Sequence, residues 1–144
     1  QSRSSAASDV YKRQAVMCVQ HDYKVTESTK MDGQKQTIYP RKNWSSMVLW
    51  NCGHPSNKVV TQDFVNDQEL NGAYMHRFSW LKDEEIGSID HTWNYLVGVY
   101  DDIDLPKLIH YTEGGPWFEN YRYCQFHQLW KNELHNMMHG AKNE

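Results

Sequence analysis

A chain of 144 residues with a formal net charge of −3 has room for one domain, or for part of a larger one. Charged residues at 23% and hydrophobic ones at 39% give the balance of a soluble globular protein, with no basic excess that would suggest nucleic acid. No apolar run is long enough to cross a bilayer.

Residues 1–14 open without an initiator Met, an apolar signal core or a clear period. They resemble translated sequencing-adapter read-through more than an ordinary disordered tail, so the natural protein is expected to be truncated near Ala15. The first structured element is then a short internal strand over Ala15–His21, which is largely apolar. Residues 22–40 are polar, with Asp32-Gly33 as a turn signal and Pro40 as a stop. The stretch from Asn43 to Asn51 reads as the strongest strand, and its continuous apolar end suits a strand covered on both faces. Thr61 is an N-cap for a short helix, and a second helix is predicted from Asn71 to Leu81 with Tyr74, Phe78 and Leu81 on one side. Trp93–Tyr100 reads as a strand ended by the acidic loop Asp101–Asp104, and Lys107–Tyr111 as another. A helix from Phe118 to Met138 follows, with Tyr121, Cys124, Leu129 and Leu134 facing inward. Residues 139–144 are a frayed end.

Strands alternating with helices indicate an α/β class, and so small a sheet with long polar connections looks like the second half of a larger domain. Cys18, Cys52 and Cys124 lack CxxC spacing, which argues against a disulfide framework and for a reducing, cytoplasmic setting. Six Trp and nine Tyr are many for this length. They belong either to a core and its rim or to a surface that stacks on sugars or bases.

Several side chains could carry chemistry. His110 ends an apolar run just before Gly114-Gly115-Pro116-Trp117, and a neutral imidazole there could ligate a divalent metal. Asp83-Glu84-Glu85 could supply a carboxylate to a charged transition state or form a solvated helix end. Asp101, Asp102 and Asp104 lack the glycine and terminal glutamate of a calcium loop. Cys52 with His54, and His135 with His139, offer zinc ligands, although no catalytic Glu follows His135.

Taken as an ordered set, residues 40–133 resemble the C-terminal half of retaining nucleotide-sugar glycosyltransferases of the family 8 type. Trp44–Asn51 looks like that family's strand beneath the donor sugar, Asp83–Ile86 like its Asp-Gln-Asp segment, and Trp93-Asn94 like its Trp-Asn pair. His110–Trp117 is similar to its closing His-…-Gly-…-Lys-Pro-Trp motif, and closer still to uncharacterised phage and marine bacterial glycosyltransferases. The resemblance implies a partial GT-A-like fold over residues 15–138, with a mixed sheet flanked by helices. It further implies a divalent metal, usually Mn²⁺, bound by His110, with Asp83 and Glu84 in catalytic positions. Asn51, Arg41, Lys42, Gly114, Gly115 and Trp117 would then contact the donor. The partners implied are a nucleotide-sugar donor and a glycan or small-molecule acceptor, with no nucleic acid and no membrane span.

The departures are specific. The family's Asp-x-Asp lies upstream of where this chain begins, Gly115 stands in place of its phosphate-binding Lys, and Glu84 replaces its Gln. The expectation is therefore a fragment of a metal-dependent glycosyltransferase that transfers a hexose in its intact parent and is inactive as given. The alternatives are a non-catalytic carbohydrate-binding module stacking sugars on Trp44, Trp50, Trp80 and Trp117, or a small zinc-binding protein.

Overall fold

The computed structural model describes residues 13–22, 29–30, 33–35, 39–70, 72–101 and 105–140. The chain divides into two compact units. The first comprises Gln1–Asp22 and Tyr39–Trp93, the second Tyr23–Ile38 and Asn94–Glu144.

The first unit is built on the apolar run that opens it. Strand β1, Val16–Cys18, is buried along its whole length, as the continuous hydrophobic sequence around it requires. It lies between β4, Val48–Trp50, and β5, Ile86–Ser88. The β1–β4 pairing is antiparallel, with Met17 opposite Leu49, while β1–β5 is parallel, with Val16 opposite Ile86. The α/β expectation thus holds in its coarse form, as a mixed three-stranded sheet with a few helices.

The strand expected over Asn43–Asn51 is shorter than its sequence suggests. Arg41 and Asn43 adopt φ of 56° and 62°, in the left-handed region, and Trp44–Ser46 forms a 3₁₀ turn. The strand itself is only the three residues Val48–Trp50, an edge strand on which Leu49 and Trp50 are exposed. The expectation of cover on both faces is therefore corrected.

Helix α1, Gln62–Asn66, starts where expected: Thr61 Oγ1 accepts a hydrogen bond from the Phe64 N–H at 3.2 Å. Helix α2, Gly72–His76, is far shorter than the predicted Asn71–Leu81 span. It ends because Phe78 takes φ 51°, a conformation that costs a non-glycine residue about 1–3 kcal/mol. Burying the Phe78 ring is worth about 1.5–3 kcal/mol, enough to offset that strain. The ring is fully enclosed with Ala15, Val16, Cys18, Leu81 and Ile86 in the core.

In the second unit, β2 (Thr29–Lys30) pairs antiparallel with β3 (Gln34–Lys35), and between them Gly33 takes φ 91°. The predicted Asp32-Gly33 turn is therefore present at its glycine, while Asp32 lies outside the described residues. Strand β6, Tyr95–Leu96, runs parallel to β7, Ile109–His110, with Leu96 opposite His110. The single helix expected over 118–138 is divided. A 3₁₀ turn covers Glu119–Tyr121, and helix α3 covers His127–His139. Phe126, at φ 59°, blocks a continuous helix. No α3 residue is fully buried, and Leu129 faces solvent rather than inward. Asp102 and Asp104 of the acidic loop lie outside the described residues; Asp101 lies within them.

Candidate functional site

The second unit contains a cavity of about 360 Å³, within the usual size range of small-molecule sites. Its walls come from the segments that follow β6 and β7. Tyr95 anchors them: its side chain is completely buried, and its hydroxyl donates to the Tyr100 carbonyl and accepts from Gln125 Nε2 at 3.0 Å. The Tyr95 ring meets Phe126 edge-on at 5.5 Å. A second tie, from Tyr111 Oη to the Phe126 carbonyl at 2.9 Å, holds the segment that leads into α3.

Two carboxylates, Asp101 and Glu113, line this cavity with Tyr121, Cys124 and Gln125, and among the described residues no Lys, Arg or His is in its walls. Val97, Gly98 and Gly114 complete the lining. Burial pushes the thiol of Cys124 upward, and burial likewise raises the Tyr111 hydroxyl, with Cys124 adding to the effect. A raised thiol is mostly protonated at neutral pH and is a poor nucleophile.

The Gly114-Gly115 corner allows close approach, but the chain's own rings occupy the space. A Cβ on Gly114, which has φ 149°, would lie 2.7 Å from the Tyr121 ring. One on Gly115 would lie 2.1 Å from the Trp117 ring. Trp117 packs against Tyr111, Phe118 and Trp130, yet half of it is still exposed. His110 turns Nδ1 toward the side-chain oxygen of fully buried Asn94 at 3.1 Å.

The remaining sequence-selected residues belong to the first unit. Arg41 donates to the carbonyls of Arg77 (2.6 Å), Phe78 (2.8 Å) and Leu81 (3.2 Å), and to Asp83 Oδ1 at 2.5 Å. Its guanidinium therefore closes the turn between α2 and β5. Asp83 is otherwise exposed, as is Glu84, which lies 4.0 Å from the Lys82 ammonium. Lys42 is buried, its ammonium 5.6 Å from the Tyr39 ring centre. Asn51 donates to the Gln14 carbonyl at 3.1 Å and accepts from the Gly53 N–H at 3.2 Å, which fixes a turn.

One feature of the chain has no place among the residues selected from the sequence: Glu113, next to the glycine corner, lines the cavity, and Gly98, inside an apparent strand, is the local signal that something approaches the backbone there. Glu85, named with Asp83 and Glu84 as a source of carboxylate, is a structural acceptor. Its carboxylate accepts from the Ser56 hydroxyl and from the Lys82 N–H, and these bonds, Ser56 first, hold it below its ordinary range.

Fold and site together define a mixed α/β chain of two units, the second of which carries a cavity lined by two carboxylates. No protein-family model matches the chain, and no solved structure matches it. Among curated proteins it is 55% identical over 135 residues to "Protein CDI" of Arabidopsis thaliana, an alignment covering 90% of this chain and 51% of the relative. The chain thus spans about half the length of the curated relative it matches.

That relative corrects the sequence-based identification. It is a plant protein, not a phage or bacterial one, and its name is neither that of a glycosyltransferase nor that of any enzyme. The glycosyltransferase function and the enzyme assignment built on the resemblance are therefore withdrawn, and of the fold expectation the coarse mixed α/β class stands. The landmarks were short matches of a few residues each, and such matches arise readily by chance. The metal-binding reading is corrected as well. Among the described residues no three His, Cys, Asp or Glu side chains converge as a metal site, whether around His110 or around Cys52, His54, His135 and His139.

The stacking-platform alternative finds Trp50 and Trp80 turned face to face, 6.0 Å apart and 7° from parallel. Phe64 and Phe78 stand edge-on to Trp80, so these aromatics form a core rim. Among the described residues no helix is long and apolar enough to cross a membrane.

Proposed function

We propose that the second unit is a binding module for a small organic cation, an amine or alkylammonium group on a compact molecule. The observation that carries this reading is the lining of the 360 Å³ cavity, where two carboxylates and a tyrosine ring come together with no basic side chain among the described residues. Carboxylates in a partly enclosed site favour a cationic ligand, and an aromatic face adds a cation–π contribution of about 0.5–2 kcal/mol. Catalysis is not part of the proposal: burial raises the Cys124 thiol and makes it a poor nucleophile.

The test is calorimetric titration of the full chain with 1,4-diaminobutane, choline and the neutral isostere 1,4-butanediol. Saturable binding of an amine, weakened about tenfold or more by Glu113→Gln, supports the reading, a loss of about 1.4 kcal/mol. Equal binding of the diol, or no saturation by any amine, refutes it.

A further inference from the structure

The first unit carries a separate concavity, a groove of about 450 Å³ lined by Arg41, Arg77, Ser79 and Asp83 with Pro40 and Leu81. Its two guanidinium groups are in opposite situations. Arg41 is committed to three backbone carbonyls and to Asp83. Arg77 lies over the Tyr39 ring, 4.9 Å from its centre, and its Nε–H is shut off from solvent with no hydrogen-bond partner. No described residue accepts a hydrogen bond from the Arg77 side chain. The charged groups that line the groove are Arg41, Arg77 and Asp83, and Asp83 is already paired with Arg41, which leaves the charge of Arg77.

We infer that this groove is an oxyanion site, in which the carboxylate or phosphate group of a small molecule is held by the Arg77 guanidinium. Because the Nε–H is enclosed, a ligand in the groove meets the terminal Nη groups of Arg77, for which no described residue supplies an acceptor. A guanidinium lying over an aromatic face keeps its N–H edges directed outward in its own plane, where a planar or tetrahedral oxyanion can accept two parallel bonds from the Nη groups. Arg41 prepares the site by holding the Arg77 carbonyl at 2.6 Å, which fixes the backbone before any ligand arrives. This site is independent of the amine cavity, and either can fail without the other.

The experiment follows arginine Nε–H resonances of the full chain by ¹H–¹⁵N NMR, titrating inorganic phosphate and, separately, acetate at ionic strength held constant with chloride. The Arg77 signal is assigned by its absence in Arg77→Lys. A saturable shift of that signal with either anion is expected, and Arg122→Ala, a change at an exposed arginine, leaves it intact. Saturation by phosphate alone or by acetate alone names the preferred group. Arg77→Lys keeps the charge but loses the fork, so anion affinity read from neighbouring backbone amides falls at least about tenfold. A shift no different from that in chloride, or unchanged affinity in Arg77→Lys, overturns the inference. If Arg77→Lys does not fold, the titration of the unaltered chain decides, with the signal assigned through its backbone connectivity.

Discussion

Gly98 and Glu113 approach each other closely in the cavity wall: a Cβ placed on Gly98 would sit 3.2 Å from Glu113 Oε2. Gly98 also has φ 84°, a backbone conformation that L side chains rarely adopt. Gly98→Ala should therefore strain the turn after β6 and push the Glu113 carboxylate off its seat. A stability loss of about 1–2 kcal/mol is expected, together with weaker amine binding. Urea unfolding and calorimetry check both, and an alanine variant with unchanged stability and affinity would disprove the contact's role.

Arg41 was selected from the sequence as a donor-binding cation, and its contacts make it a structural clamp. Arg41→Ala removes bonds to the carbonyls of Arg77, Phe78 and Leu81 and should destabilise by about 2–4 kcal/mol. Asp83→Ala should cost only about 0–1 kcal/mol, because the Asp83 side chain is 88% exposed and its ion pair is screened by solvent. Equal losses in the two variants, measured by denaturant unfolding, would show that the ion pair rather than the carbonyl bonds holds the turn.

Glu85 gives the fold a pH dependence of definite sign. Its carboxyl is held below the usual 4.5, first by the Ser56 hydroxyl and then by the Lys82 N–H. A depressed folded value means that the unfolded chain binds the proton first, so the stabilisation is present above about pH 4.5 and is lost as pH falls through the folded value. Ser56→Ala should lower stability at pH 7, and its difference from the unaltered protein should shrink as pH drops below that range. A difference that does not vary with pH would remove Glu85 as its source.

The three cysteines should separate by reactivity. Burial pushes the Cys18 thiol up to about 12, against a smaller opposing pull from Arg41, while Cys52 is exposed. At pH 8 a chromogenic disulfide reagent should label Cys52 quickly, Cys124 more slowly, and Cys18 only on unfolding. Because the Cys18 value is raised, its stabilisation is complete below pH 9.0 and falls as pH rises toward about 12. A single fast phase for all three thiols would contradict the described burial.

Particular residues explain how much of this was legible beforehand. The core strand was readable because Ala15 to Val19 is an unbroken small or apolar run and is buried throughout, and the start of α1 because Thr61 is a capping type at a capping position. The shortening of the later elements was not, because it depends on Arg41, Phe78 and Phe126 adopting positive φ, which their side chains do not favour and only tertiary packing imposes. The glycine corner was recognisable as a place of close backbone approach, but its occupants, Tyr121 and Trp117, follow later in the chain and reach it only after folding. Asp101 and Glu113 share a wall because β6 and β7 pair in parallel, a relation no local pattern encodes. The Trp44–Asn51 and His110–Trp117 matches looked informative in order, yet short matches specify residue types and not the packing that would give those residues a shared function.

The most direct test of the account is calorimetric titration of the unaltered chain with 1,4-diaminobutane, alongside Glu113→Gln and 1,4-butanediol. The account predicts saturable binding of the diamine, at least about tenfold weaker binding in the variant, and no heat of binding from the diol. Diamine and diol binding alike, or no binding of the diamine, would contradict it.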